Sequence, residues 1–183
     1  MSNKYHLPRG TSADGPYDVL VTPESAGWGY AGLRILTLQP GEAHALSTHD
    51  SEFLVLPLTG SCTVTTDGAS FELEGRTGGF ASVTDFAHLP PESAALISSA
   101  QGGLFALPSA RTERSSLSAR YGPKEAVPVE LRGAGACSRH VMAGPGQDRA
   151  WLICDDPAHG WVRTTWESQD IDDRLPFEGL TQR

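Results

Sequence analysis

Short apolar segments, each bounded by Gly, Pro, Asp or Ser, dominate the first two thirds of the chain. They are rich in β-branched and aromatic residues, as in the segments GLRILTL, EFLVLPL, SCTVTT, SFELEG and GLFALPS. Strand-sized segments with turn residues between them are typical of an all-β sandwich or barrel. Between Tyr17 and Pro108 no apolar period of 3.6 residues is sustained, so we expect helices there to be short or absent.

Two positions predict local geometry within this sheet. Asp67-Gly68 lies between two strand-like segments, and this dipeptide tolerates the positive φ angles of a tight hairpin. Pro57 lies inside EFLVLPLTG and cannot donate a ladder hydrogen bond, which predicts an edge, a bulge or a strand end.

The pattern changes late in the chain. From His140 onward no clean period of two or of 3.6 residues is visible, although three of the four tryptophans lie there (Trp151, Trp161 and Trp166). Little aliphatic surface is available to offset the entropy lost on ordering this part. We therefore predict one domain at residues 1–139, followed by a poorly packed, partly disordered tail at residues 140–183.

Charge and cysteine content narrow the partners. The net charge of −8, from 22 acidic and 14 basic residues, disfavours nucleic acid, whose phosphates are neutralised by Lys and Arg. Three cysteines without a C-x-x-C pair, and no apolar leader segment at the N-terminus, predict a reduced, cytoplasmic protein. No apolar run approaches the roughly 20 residues of a membrane span, so no membrane partner is expected.

Four residues form a candidate metal site: His44, His49, Glu52 and His88. Three imidazoles and a carboxylate are a reasonable ligand set for Zn²⁺ or Fe²⁺. Side chains alternate between the two faces of a strand, so ligands on one strand need an even spacing. His44 and His49 are five apart, and His49 and Glu52 are three apart, so only a bulge or turn between them would bring them together.

The alternative is structural. His44 and His49 would flank a polar surface loop, and Glu52 would simply begin a strand. Because parity sets ligand geometry in strands, we expect no metal or other cofactor to be bound in this chain. The three strand arginines, Arg34, Arg76 and Arg111, are expected to be separate residues on a solvated face.

Several longer strings resemble one family. They are TPESAGWGYAGLRILTLQPGE, LVLPLTGSCTVTTDGASFELEGR, TDFAHLPPES, ALPSAR and RYGPKEAVPVELRGAGACSR. Over roughly residues 5–139 they are similar to the first half of 5-deoxy-glucuronate isomerase, a bicupin enzyme of bacterial myo-inositol catabolism. The resemblance implies a cupin-like antiparallel β-barrel or jelly roll. It also implies an aldose–ketose isomerisation of a small sugar acid, with a divalent metal such as Zn or Mn in the full-length family.

The resemblance ends after Arg139. In that family the metal ligands lie in a second cupin, in a PPHKHD-like segment with a later Glu and His, and this chain contains no H-x-H. The resemblance therefore implies that residues 1–139 are the degenerate first cupin. A truncated or frame-shifted gene would give such a tail, and a lineage-specific extension is the other explanation.

Three functional hypotheses follow. The chain is a member of this isomerase family that is inactive in isolation, because the metal-binding second cupin is missing. Alternatively, it is a non-catalytic cupin-like module that binds a sugar acid or pairs with another cupin, in which case we expect a homodimer or a tendency to aggregate. The third hypothesis is a single-cupin metalloenzyme that uses His44, His49, Glu52 and His88.

Overall fold

The computed structural model describes residues 7–79, 81–112 and 117–127 in full, and the backbone alone of strands 129–132, 139–143, 149–154 and 162–167. The chain divides into two compact units, Met1–Lys124 and Glu125–Arg183. Each unit is considered by itself.

The regular secondary structure of the first unit is almost entirely antiparallel strand. Within its described part, the first unit has one helical turn, α1 at Pro23–Ala26. A 3₁₀ turn at Lys124–Ala126 begins at the last residue of this unit. This agrees with the prediction of short or absent helices. The strands are β1 Tyr17–Val21, β2 Ala31–Leu38, β3 Ala43–Ser47, β4 Ser51–Thr66, β5 Ala69–Arg76, β6 Phe86–Leu89, β7 Ala94–Ser98, β8 Gly103–Arg111 and β9 Arg120–Gly122.

Strand β4 takes part in two sets of pairings. Its first half lies between β6 and β8, and its second half lies between β5 and β7. One path of paired strands runs β1-β2-β8-β4-β6-β9, while β3, β7 and β5 join through the second half of β4. The polypeptide therefore bends within β4, and the two halves of the strand place two layers of sheet against each other.

The bend falls at the predicted proline. The register between β4 and β8 shifts between Pro57 and Thr59, a bulge or irregularity next to the proline, which is one of the three predicted alternatives. Gly60 follows with a φ of 79°, and a Cβ there would overlap the Gly102 carbonyl oxygen of the neighbouring segment. Only glycine combines this positive φ with so close a backbone approach.

The predicted hairpin is also present. Thr66 pairs with Ala69, leaving Asp67 and Gly68 as a two-residue turn between β4 and β5. Gly68 has a φ of 91° whereas Asp67 does not enter the positive-φ region. The glycine alone therefore supplies the reversal.

Alternate residues of these strands form one core. Phe53, Val55 and Val64 of β4 are 0–2% exposed, and they pack with buried aliphatic and aromatic residues from the surrounding strands. These partners include Leu36, Leu46, Leu73, Leu89, Ile97, Phe105 and Leu107. The period of two seen in the sequence thus separates a buried face from an opposite face throughout the barrel.

The second unit contains a four-stranded antiparallel sheet in chain order. Its strands are β10 Val129–Arg132, β11 Arg139–Ala143, β12 Arg149–Cys154 and β13 Val162–Glu167. Strand propensity in segments such as VRTTWE explains these elements, which the weak aliphatic pattern did not predict. Side chains of this unit from residue 128 onward lie outside the described residues, so the domain boundary at residue 139 and the poor packing of the tail stay predictions.

No helix in the described part of the chain is long and apolar enough to cross a membrane.

A buried carboxylate just before β6 connects this segment to strands β5 and β9. Asp85 is 0% exposed and accepts hydrogen bonds from the backbone N–H groups of Glu74 and Gly75 at 2.7 and 3.0 Å. The hydroxyls of Thr84 and Tyr121 donate to the same carboxylate at 3.2 and 3.0 Å. A buried charge is tolerated when its lone pairs are satisfied in this way.

Replacing Asp85 by Asn is expected to lower the free energy of unfolding by about 3 kcal/mol, because the new amide N–H₂ faces backbone N–H donors and the charge is lost. Denaturant unfolding followed by circular dichroism measures this. The control is Asp67→Asn in the exposed hairpin turn, which should change stability by less than about 0.5 kcal/mol. Equal effects of the two substitutions would contradict this account of Asp85.

Candidate functional site

Side-chain alternation along β4 separates the four candidate ligands. Phe53 and Val55 point into the core, so Glu52 and Leu54 lie on the opposite face. His88 of β6 pairs directly with Leu54 and therefore shares the face of Glu52. His44 of β3 pairs with the buried Ile97 and lies on the core side.

Glu52 and His88 are the two candidates that the structure brings together. The Nε2 atom of His88 lies 3.4 Å from Oε2 of Glu52. The His88 side chain is 7% exposed, against 31% for Glu52. Both His88 Nδ1 and Nε of Arg120, which pairs with His88 from β9, are buried without a hydrogen-bond partner. The pair thus joins a partly exposed carboxylate to a nearly buried imidazole.

His44 is engaged elsewhere. Its Nε2 lies 2.7 Å from the Tyr17 hydroxyl, and the two rings meet edge to face with centroids 5.2 Å apart. Burial lowers the pKa of His44, and the nearby Arg34 guanidinium lowers it further. Both effects favour the neutral imidazole, which the Tyr17 hydroxyl holds in place.

His49 is exposed in the turn between β3 and β4, with a φ of 47°. The interpretation of His44 to His49 as a surface loop is wrong for its first part, because residues 43–47 form β3 with Leu46 in the core. The polar run hides this strand, since its outward residues are small or polar. The expectation that Glu52 begins a strand is confirmed, because it is the second residue of β4.

The described residues do not fit a Zn²⁺ or Mn²⁺ site. Among them, no group of three His, Cys, Asp or Glu side chains is placed to hold a metal ion. The candidates are divided between the two faces of the sheet, and an ordinary zinc site needs at least three protein ligands.

The single cysteine of the described barrel is also unsuited to chemistry. Cys62 is buried, and burial together with the charge of Asp85 raises the pKa of its thiol to about 12. The thiolate, which is the nucleophilic form, is therefore almost absent at neutral pH.

A small cleft forms at one end of the barrel, and sequence reasoning missed it. It has a volume of about 110 Å³, and both Arg34 and Arg111 line it together with Phe53 and Ser109. Pairing of β2 with β8 sets Arg34 opposite Leu107, on the strand that ends at Arg111. The expectation that the strand arginines are separate is therefore wrong for Arg34 and Arg111, whereas Arg76 does not line this cleft.

The expectation of a solvated face is wrong for Arg76, whereas the Arg111 side chain is 38% exposed. Arg76 is 8% exposed, and its Nε and Nη1 donate to the carbonyls of Pro57 and Ser82 at 3.0 and 2.9 Å. Arg111 forms an ion pair with Glu24 and lies 3.3 Å from Asp50 at the rim of the cleft. Each arginine has a particular structural environment that its position in the sequence does not reveal.

Antiparallel strands that enclose a single core and share the bent β4 make the first unit a cupin-like β-barrel. Solved structures support this fold. An IolB-like protein from Salmonella typhimurium LT2 matches with a TM-score of 0.70 at 21% identity, covering 78% of this chain and 57% of that one. The oxalate decarboxylase of Lactobacillus farciminis matches with a TM-score of 0.51 at 12% identity, covering 74% and 58% respectively.

The particular family follows from the sequence comparison. The model of the KduI/IolB family matches residues 6–142, and the chain belongs to this family. Proteins named 5-deoxy-glucuronate isomerase from Geobacillus kaustophilus and Geobacillus thermodenitrificans are each 30% identical over 124 residues. This match covers 67% of the chain but 45% of either relative, so the chain spans about half the length of these proteins. The family resemblance stated from the sequence is confirmed.

The environment of His44 predicts a pH effect. Its pKa should lie below the ordinary 6.5, and Arg34→Gln should raise it part of the way back, because burial remains. The unfolded chain then binds more protons than the fold as pH falls through about 6.5. The stability that neutral His44 contributes is thus present above that pH and is lost below it.

NMR titration of the His44 ring measures this pKa in the wild type, in Arg34→Gln and in the control Arg9→Gln, which alters an exposed arginine. A midpoint at or above the ordinary value, or one that Arg34→Gln leaves unchanged, would contradict the assignment.

Proposed function

We propose that this chain corresponds to the first cupin of a 5-deoxy-glucuronate isomerase, and that it does not catalyse isomerisation by itself. The reaction would convert 5-deoxy-glucuronate into 5-dehydro-2-deoxy-gluconate, moving a proton between adjacent carbons. The family match over residues 6–142 and the curated relatives named for this activity support the assignment.

One observation carries the proposed inactivity: the candidate ligands lie on opposite faces of the sheet. His44 is on the core side with Tyr17, whereas Glu52 and His88 are on the other face. An enediolate that develops beside a substrate carboxylate must be stabilised, and a bound metal contributes several kcal/mol to such stabilisation. The described residues do not converge into a metal site that could supply it.

The Glu52–His88 pair does not replace that site. A general base must come within hydrogen-bond reach of the substrate proton. The side chain of His88 is 7% exposed, so a sugar acid does not reach its ring. We propose that Zn²⁺ or Mn²⁺ is held, in the longer relatives, by residues outside the matched half.

An isomerase assay on the purified chain tests this proposal. We expect no conversion of 5-deoxy-glucuronate above background, with or without added Zn²⁺ or Mn²⁺. The Geobacillus kaustophilus relative, assayed under the same conditions, is the positive control. Elemental analysis of the purified chain should find less than about a tenth of an equivalent of transition metal, because three or four good ligands normally retain their metal.

Turnover within about tenfold of the control protein, abolished by Glu52→Gln or His88→Ala, would overturn the proposal. The matched variant is His49→Ala, which removes an exposed imidazole from the same loop and strand region. Loss of activity in the first two variants but not in the third would assign catalysis to the barrel itself.

A second candidate function is a cupin-like module that binds a small acid without transforming it. The observation that favours it is the position of Arg34, whose side chain lines the cleft with no carboxylate partner within the described residues.

A further inference from the structure

Contacts with two aromatic rings hold Arg34 in place, and no described residue takes up its hydrogen-bond donors. Its guanidinium carbon lies 5.4 Å from the centroid of the Tyr17 ring and 4.9 Å from that of Phe53. Within the described residues, Arg34 makes neither a hydrogen bond nor an ion pair. A guanidinium carries five N–H donors in a fixed fork, so contacts with two aromatic rings position a donor set that is still available.

Neighbouring strands restrict Arg34 further. It pairs with Leu20 of β1 on one side and with the fully buried Leu107 of β8 on the other. Because these aliphatic neighbours offer no polar contact, the hydrogen-bonding capacity of the guanidinium is left for the cleft that Arg34 lines. Little entropy remains to be lost when a ligand binds to such a fixed side chain.

At the rim of the cleft, unlike at Arg34, the positive charge is paired with carboxylates. Arg111 is shared between Glu24 and Asp50, and its positive charge is thereby offset. These two rim carboxylates would repel a dianion such as phosphate more strongly than a monoanion. A singly charged carboxylate therefore suits the cleft better than a phosphate does.

A hydroxyl group lies in the same cleft. Ser109 lines it from β8, and within the described residues its side chain makes no hydrogen bond. Ser109 pairs with Gly32 of β2, where a Cβ would come within 2.7 Å of the Ser109 Oγ, so the glycine leaves room for this hydroxyl. Thr48 also lines the cleft, but its hydroxyl is committed to the Pro90 and Ser93 carbonyls at 2.9 and 3.1 Å.

We propose that this cleft is a binding site for a small hydroxycarboxylate monoanion. Arg34 binds the carboxylate through its N–H fork, and Ser109 hydrogen-bonds the ligand hydroxyl. The volume of about 110 Å³ restricts the site to small ligands, because pockets for drug-sized molecules measure about 300–1,000 Å³. The inference rests on the second candidate function and does not depend on isomerase activity.

Lactate is the probe, titrated into the full chain at low ionic strength and followed by calorimetry and by amide chemical shifts. We expect saturable binding that perturbs the signals of Arg34, Phe53 and Ser109. Arg34→Gln should weaken it by at least about tenfold, as expected for the loss of a hydrogen bond to a charged group. Ser109→Ala should weaken lactate binding but not acetate binding, because acetate has no hydroxyl.

Arg9→Gln is the charge-matched control and should bind lactate like the wild type. Lactamide, which lacks the charge, should not bind. Lactate binding that Arg34→Gln leaves unchanged, shift changes located away from the cleft, or tighter binding of inorganic phosphate would each overturn the proposal. If Arg34→Gln does not fold, the amide chemical shifts of the wild type test the proposal. Lactate and acetate should shift the signals of the cleft residues, and lactamide should not. The isomerase assay does not predict the outcome of this titration. The proposed lack of isomerase activity and the proposed carboxylate site can therefore each be overturned without the other.

Discussion

The bend in β4 is the constraint on which the rest of the barrel depends. One strand of 16 residues serves two sets of neighbours, and the bulge at Pro57 with the positive φ of Gly60 allows it to do so. Because side chains alternate strictly on either side of the bend, the register of this strand decides which residues face the core. A slip by one residue would exchange Phe53 with Glu52 and place a carboxylate in the apolar interior.

The same alternation of side chains decides which polar groups lie on which face of the sheet. Its core side carries a cation, a tyrosine and a histidine: Arg34 lies against the rings of Tyr17 and Phe53, and His44 is held by the Tyr17 hydroxyl. The opposite face carries the Glu52–His88 pair, in which the imidazole is nearly buried and the carboxylate is partly exposed. Three imidazoles and a carboxylate that look like one ligand set along the sequence are therefore divided among a core-side strand, an exposed turn and the other face of the sheet.

Much of the fold could be predicted because its signals are local. The Asp67-Gly68 turn, the irregularity at Pro57 and the period of two each depend on a few adjacent residues. The cleft could not be predicted in this way, because Arg34 and Arg111 come to line it only through the pairing of β2 with β8, which are far apart in sequence. The contacts of Arg76 could not be predicted for the same reason. Its guanidinium donates to the carbonyl of Pro57, at the bend in β4, and to that of Ser82, in the loop between β5 and β6. Strands β11 to β13 were missed for a different reason. The prediction for this part used the number of aliphatic residues, and such a count leaves out Trp and Thr, which also favour strands.

His44 and His88 lie on different faces of the sheet, so they cannot bind one metal ion. The imidazole ¹⁵N resonances of the chain, recorded during a titration with Zn²⁺ up to one equivalent, test it most directly. The structure predicts that the His44 signals stay unchanged, with Nε2 still at the Tyr17 hydroxyl. Stoichiometric shifts of both His44 and His88, of the size that direct coordination produces, would contradict it.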